Sequence, residues 1–170
     1  MKDHFRMMAA YNEWANRRVY DAAAALPDEA YRRDVGAFFG SLNGTLNHIL
    51  VADRIWMHRF TGGGENPSRL DAIVADRLAE LRAARESEDA RIVAFVEGME
   101  PEEFAGRFTY ITVTDTRRIS QRLAPALTHF FNHQTHHRGQ THCILSMLES
   151  EPPSLDLSAF HRQPAGRAFA

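Results

Sequence analysis

Hydrophobic and polar residues alternate with helical spacing in four long segments of the chain. The first predicted helix covers about residues 3–25 and ends before Pro27, a residue that favours a stop. The second covers about residues 41–60, because Ser41 suits an N-cap and the three glycines at 62–64 cannot continue a helix.

The third and fourth predicted helices follow these two along the chain. The third follows Ser68 and covers about residues 69–96, a stretch rich in Arg, Glu and Ala, which favour helix. The fourth covers about residues 120–149. Pro125 lies near its start, so either the helix begins near Ala124 or its first turns are kinked.

A different pattern separates the third and fourth helices. Residues 106–118 alternate aromatic and β-branched side chains, which predicts a short hairpin or an extended crossover. The tail, residues 154–170, carries scattered apolar residues and is expected to lie against the helices. With no repeat and no linker, the pattern predicts one domain over residues 1–170, an all-α four-helix bundle with a long crossover between helices three and four.

Composition and charge narrow the class of protein. The 170 residues are 44% hydrophobic and 25% charged, which is typical of a globular domain. The net charge of −2 argues against a dedicated nucleic-acid-binding protein, which usually carries a basic surface stripe. No apolar run approaches the length of a membrane span. The N-terminus lacks the apolar stretch of a signal peptide, and one cysteine excludes an intrachain disulfide. A cytoplasmic location is therefore expected.

Histidines stand out among the polar residues: the chain has nine, and five lie within residues 129–142. On a helical wheel of the fourth helix, His133 and His137 fall on the inner flank, four positions apart. Such side chains have Cβ atoms about 6 Å apart, so both imidazoles can reach one metal ion. Three further histidines fall outside this flank, namely His129, His136 and His142.

Two imidazoles make a weak site, and zinc takes three or four ligands. The second helix offers His48 on the flank of its apolar face and His58 on the side toward water, so His48 is the better third ligand. The pair is not a zincin motif, since Gln134 stands where that motif has Glu. An alternative stays open, in which the histidines are half-buried and hydrogen-bonded without a metal.

Several polar residues are predicted to face the core. Asp53, Gln134 and Thr141 lie on the apolar faces of their helices, where buried polar groups need partners. They could orient metal ligands or form a purely structural hydrogen-bond network. Cys143 has no basic or helix-start setting to activate it, which predicts a buried and unreactive thiol.

One segment resembles the signature of a known family. Residues 129–140, HFFNHQTHHRGQ, are similar to the signature of the DinB family (DinB/YfiT-like proteins), described as metalloenzymes although most members have no known reaction. Three more segments agree in the right order: residues 11–16, YNEWAN; residues 46–56, LNHILVADRIW; and residues 155–157, LDL.

The resemblance implies a fold, a metal site and a partner. It implies a four-helix bundle with one long crossover, and metal ligands at His48, His133 and His137. It further implies a zinc or nickel cofactor with water completing the coordination, and a homodimer. Because members of the wider superfamily are transferases and isomerases that use a low-molecular-weight thiol, it also implies such a thiol or another small molecule as substrate.

Two function hypotheses follow. The first is a metal-dependent enzyme, such as a thiol-dependent transferase or small-molecule hydrolase, in which a metal-bound water or thiol serves as nucleophile and no protein residue is assigned to catalysis. The alternative is a non-catalytic, metal-stabilised stress-response or interaction module. A DNA-binding role is disfavoured by the charge.

Overall fold

The computed structural model describes residues 1–170 and is mostly helical, with six α-helices and one two-stranded sheet. The helices are α1 (Lys2–Ala24), α2 (Asp28–Arg32), α3 (Leu42–Thr61), α4 (Leu78–Gly98), α5 (Leu123–Met147) and α6 (Leu157–His161). The strands are β1 (Arg107–Ile111) and β2 (Arg118–Arg122), and two 3₁₀ turns lie at Pro101–Ala105 and Arg167–Phe169. None of the helices has the length and apolar character that crossing a lipid bilayer requires.

The four long helices bury their apolar faces against one another. α1 contacts α4 and α5, and α3 contacts the same two helices. Each of the four contributes to two apolar clusters, one around Trp56 and Phe130 and the other around Leu50 and Leu145. Because burying one such side chain stabilises the fold by about 1.5–3 kcal/mol, these clusters fix how α3 and α5 face each other.

The predicted ends of α3 are confirmed. The Ser41 hydroxyl accepts a hydrogen bond from the Gly44 N–H at 3.1 Å and caps the helix start. Gly62 ends the helix with a left-handed φ of 71°, and its N–H donates to the His58 carbonyl at 2.7 Å. α5 begins at Leu123, so of the two predicted alternatives the unkinked start is correct.

The predicted start of the third helix is wrong. α4 begins at Leu78, and residues 69–77 form turns instead of the expected helix. The cause is Asn47, whose buried side-chain oxygen accepts from the N–H groups of Val74 at 2.7 Å and Ala75 at 3.1 Å. A helix would have used these N–H groups itself, so a contact with α3 holds the segment in turns.

The predicted hairpin is confirmed, although its second strand continues to Arg122, beyond the expected end at residue 118. β1 and β2 pair antiparallel, with Tyr110 opposite Ile119. The ring of Tyr110 lies 5.4 Å from that of Trp56 on α3. The hairpin therefore packs against the C-terminal half of α3. The five-residue helix α2 was not predicted.

The tail lies against the helices, as expected. Phe160 on α6 is fully buried, and its ring lies 5.9 Å from that of Tyr11 on α1. The Tyr11 hydroxyl donates to the Leu155 carbonyl at 2.7 Å. These contacts fasten the C-terminal segment to α1.

A charged network lies inside the core. The Arg85 guanidinium on α4 bridges the carboxylates of Asp53 at 2.6 Å and Asp89 at 3.0 Å. The side-chain amides of Asn12 and Asn16 on α1 each donate to Asp89 at 2.9 Å. Asp53 is thus buried as predicted, and its ionic partner is an arginine of the core. The other two predicted buried polar residues, Gln134 and Thr141, are also fully buried.

Candidate metal centre

Three histidine side chains from two helices converge at one point. His48 comes from α3, and His133 and His137 come from α5. The Nε2 atom of His137 lies 3.2 Å from Nε2 of His48 and 3.1 Å from Nε2 of His133. One ring nitrogen of each residue lies within 4.8 Å of the others. The structure therefore brings together the three residues that the sequence singled out.

The packing around the cluster fixes the rings. His133 and His137 share one face of α5 because they are four residues apart. Phe39, just before α3, stacks on His48 with ring centres 3.8 Å apart and an interplanar angle of 18°. The same phenyl ring meets His137 edge-on at 5.7 Å. Phe39 thus forms an apolar wall on one side of the cluster.

A backbone carbonyl sets the tautomer of His48. Its Nδ1 atom lies 2.7 Å from the Leu70 carbonyl oxygen, in the segment 69–77 that Asn47 holds in turns. A carbonyl can only accept a hydrogen bond, so Nδ1 of His48 carries the proton. In a neutral imidazole the Nε2 atom then presents a lone pair toward the other two histidines.

Gln140 does the same for His137. Its side-chain oxygen lies 2.7 Å from Nδ1 of His137, which places the proton there and a lone pair on Nε2. Two lone pairs therefore face each other across the 3.2 Å between His48 and His137, an arrangement that a cation stabilises. Two nitrogens bound tetrahedrally to zinc at 2.0–2.1 Å would lie about 3.3 Å apart. The donor set therefore fits a divalent transition metal.

The electrostatics keep the cluster neutral. Burial lowers the pKa of His48 to about 4 and, with the neighbouring histidine charges, that of His133 to about 3. Burial also lowers the pKa of His137. At neutral pH all three rings are uncharged, which is the form that binds a metal ion.

Sequence reasoning missed the residues that orient the rings. Gln140 could have been found, since it lies three positions after His137 on the same helix face. Leu70 gave no signal, because its contribution is a backbone carbonyl from a segment expected to be helical. Phe39 gave none either, because it precedes the helix.

The remaining candidates lie elsewhere. The cluster does not include His58, which contacts the Gly64 carbonyl at 3.3 Å, nor His129, His136 and His142. The prediction for Cys143 is wrong: the thiol is exposed, because its position on α5 lines an open surface groove with Phe38 and Met147.

A pocket of about 280 Å³ opens beside the cluster. His48 and His133 form part of its wall, with Trp56 and Arg59 of α3 and Tyr110 of the hairpin. Apolar side chains line about half of it. A small molecule in this pocket would therefore reach the histidines.

The fold and the cluster define a class: a mostly helical protein in which three histidines from two helices could hold a metal ion. The sequence model of the DinB family matches residues 1–166. The chain belongs to the DinB family, as the resemblance of its histidine segment predicted.

Two known proteins are similar to this chain. Protein DinB of Bacillus subtilis (strain 168) is 25% identical over 152 residues, which cover 85% of this chain and 86% of that protein. The crystal structure of a DinB-like protein from Bacillus cereus ATCC 10987, at 2.01 Å resolution, superposes with a TM-score of 0.64. That match covers 82% of this chain and 89% of the other at 15% identity, so it shows similarity of fold alone.

Proposed function

We propose that the protein binds a divalent transition metal through the Nε2 atoms of His48, His133 and His137, and that it is a metal-dependent enzyme acting on a small molecule. The observation that best supports this proposal is that the Nε2 lone pairs of His48 and His137 face each other across 3.2 Å. Leu70 and Gln140 produce this arrangement, because each accepts a hydrogen bond from the Nδ1 atom of one of the two rings. Imidazoles suit zinc, nickel, iron and copper alike, and the family resemblance favours zinc or nickel among them.

The arrangement supports catalysis because the chain supplies three ligands, whereas structural zinc sites use four. When bound, such a metal supplies Lewis acidity at its open positions. Leu70 and Gln140 orient the rings, Phe39 excludes water from one side, and the adjacent pocket admits the substrate. The family resemblance favours thiol-dependent transfer or hydrolysis of a small molecule as the reaction.

The enzyme proposal is tested with metal-loaded protein on a panel of electrophiles with low-molecular-weight thiols, and on a panel of ester and amide substrates. We expect turnover by the wild type and background rates for His137→Ala. The control is His142→Ala, which removes a histidine of the same helix outside the cluster and keeps the wild-type rate. Background rates for the metal-loaded wild type on both panels would overturn the proposal of catalysis.

A second candidate function is a metal-stabilised module without turnover. It is favoured by the position of the cluster, which joins α3 and α5 and is tied to the segment 69–77 through Leu70. A metal there would pin elements that are far apart in sequence. If the protein is such a module, removing the metal with a chelator should lower the melting temperature by a large amount. An unchanged melting temperature would contradict it.

We further propose that the four long helices form the four-helix bundle of this family, and that two copies associate as a homodimer. Phe38 is 86% exposed and Met147 is 57% exposed, and both line a groove of about 330 Å³. Large exposed apolar side chains grouped in this way are typical of an interface. Sedimentation equilibrium tests the proposal: a dimer that dissociates more readily in Phe38→Ser supports it, and a monomeric wild type contradicts it.

A further inference from the structure

Arg59, in the last turn of α3, has almost no partner for its charge. The guanidinium is half-buried against two neighbouring aromatic rings, 4.6 Å from the centre of Trp56 and 4.4 Å from that of Tyr110. No carboxylate forms an ion pair with it, and its one protein acceptor is the Ile111 carbonyl at 3.4 Å. A guanidinium has five N–H donors, so most of those of Arg59 are available to a ligand.

Two pockets meet at this side chain. One is the 280 Å³ pocket that reaches the histidine cluster, and the other, of about 520 Å³, lies along the hairpin. Both are lined by Arg59, Tyr110, Thr112 and Val113. No aspartate or glutamate lines either pocket. The positive charge of Arg59 is therefore not neutralised by the walls that surround it.

Arg59 and His48 both line the smaller pocket, and their backbone positions lie roughly 16 Å apart along α3. Between them the His129 ring lies 5.1 Å from Trp56 and 5.9 Å from His133. Ile55, Trp56 and Leu70 supply apolar surface along the same pocket. A molecule that spans this wall would meet a cation at one end, apolar side chains in the middle and imidazoles at the other end.

We propose that Arg59 is the anion-binding residue of this pocket, and that the small molecule which reaches the histidine cluster carries a carboxylate. The proposal rests on the proposed function, because the other end of the molecule must bind the metal. A guanidinium binds a carboxylate with two parallel hydrogen bonds.

A phosphate is the weaker fit. Arg59 belongs to the C-terminal turn of α3, where the helix dipole is negative and disfavours a dianion. The pocket lining holds one arginine and no lysine to offset a second negative charge. A compact monoanion with an apolar body therefore matches the charge and the volume of the pocket.

The test compares 3-mercaptopropionate with 3-mercaptopropionamide, which differ in the carboxylate alone. Each is titrated into Co²⁺-loaded protein, and binding is followed by the thiolate-to-cobalt absorption band. We expect the wild type to bind the acid about tenfold or more tightly than the amide, as a charged hydrogen-bonded pair typically contributes. In Arg59→Gln the preference should fall to within about threefold, with the affinity for the amide unchanged.

Two further variants separate the role of Arg59 from general charge and from folding. Arg59→Lys should keep part of the preference, because it retains the charge and loses the paired hydrogen bonds. Arg69→Gln removes an exposed arginine next to Leu70 and outside the pocket lining, and should keep the full preference. A loss of preference in Arg69→Gln equal to that in Arg59→Gln would overturn the assignment of Arg59.

The failure of this inference is distinct from the failure of the proposed function. If the wild type takes up no Co²⁺, the proposed function fails and the inference fails with it. If Co²⁺ binds and the acid and amide bind equally, the inference alone is overturned. That comparison needs no variant, so it decides the question even if Arg59→Gln does not fold.

Discussion

The histidine cluster depends on the partners of its ring nitrogens as much as on the histidines themselves. Leu70 and Gln140 hold protons on the outer nitrogens of His48 and His137, and so direct lone pairs inward. Such partners of metal ligands typically change metal affinity 10- to 100-fold when they are removed. The cluster is thus an oriented set of donors and not a chance meeting of polar side chains.

Gln140 provides a direct test of this orientation. Gln140→Leu removes the acceptor for Nδ1 of His137, so we expect a 10- to 100-fold weaker affinity for zinc, measured by competition with a chromophoric chelator. Gln163→Leu is the control, since Gln163 is exposed and makes no side-chain contact with the cluster. Equal affinities in wild type and Gln140→Leu would show that the ring needs no such partner.

The titration of His133 predicts how the metal-free protein responds to acid. Its folded pKa of about 3 lies below the ordinary value of 6.5, so the unfolded chain binds more protons between these limits. Stability is therefore full above pH 6.5 and falls as the pH decreases toward 3. In the presence of a chelator, His133→Gln should lose fewer degrees of melting temperature between pH 7.5 and 5.0 than the wild type, by a few degrees.

This comparison reports on His133 together with its electrostatic effect on the neighbouring histidines, because the other titrating groups are common to both proteins. Asn132→Gln, a non-titrating change at an exposed position of the same helix, serves as the control, and its melting temperatures should show the pH dependence of the wild type. If His133→Gln and the wild type lost the same number of degrees, His133 would not be held neutral by its surroundings.

At the scale of the residue, sequence reasoning succeeded where the constraint is local. The spacing of His133 and His137 follows from helix geometry alone, so the wheel placed both correctly. His48 lies on another helix, and its approach to the pair depends on packing that no spacing encodes. Leu70 acts through a backbone carbonyl, which carries no sequence signal at all.

At the scale of the element, the decisive segment is the one whose structure was predicted wrongly. Residues 69–77 have the composition of a helix, yet contacts with Asn47 hold them in turns, and this places the Leu70 carbonyl at His48. Helix propensity is a weak preference that a buried amide with several partners overrides. The ends of α3 were predictable because Ser41 and Gly62 act on their own helix.

Asn47→Ala tests the link between this segment and the cluster. The change leaves the N–H groups of Val74 and Ala75 without their acceptor, at a cost of about 2 kcal/mol or more in free energy of unfolding. Because the same segment carries Leu70, we also expect weaker zinc binding. Urea denaturation and chelator competition measure the two effects.

The control for this change is Asn132→Ala, since Asn132 is exposed on α5. It should leave both the stability and the zinc affinity within error of the wild type. Loss of stability in Asn47→Ala with undiminished zinc affinity would separate the segment from the cluster and contradict the structural link.

At the scale of the whole molecule, the four long helices are held together by apolar clusters and by one buried ionic network. The periodic apolar pattern predicted the number and order of these helices. It could not predict that Arg85 of α4 would lie between Asp53 and Asp89. A charged residue on a helix with many other charges is usually exposed to solvent, so the sequence gives no sign of its burial. The network connects α1, α3 and α4 inside the core.

Arg85→Met tests this network. It removes the cation between two buried carboxylates, so we expect a loss of about 3–5 kcal/mol in free energy of unfolding, measured by urea denaturation. Arg82→Met, one turn earlier and half-exposed, should cost less than about 1 kcal/mol. Equal losses in the two variants would mean that the buried network contributes no more than a surface ion pair.

The measurement that most directly tests the proposed metal centre is elemental analysis of untagged protein. The variants are His133→Ala/His137→Ala, which removes two members of the cluster, and His136→Ala/His142→Ala, which removes two histidines of the same helix outside it. We predict close to one zinc or nickel per chain in the wild type and the second variant, and none in the first. Absence of metal from the wild type after reconstitution, or equal metal in all three proteins, would contradict the account.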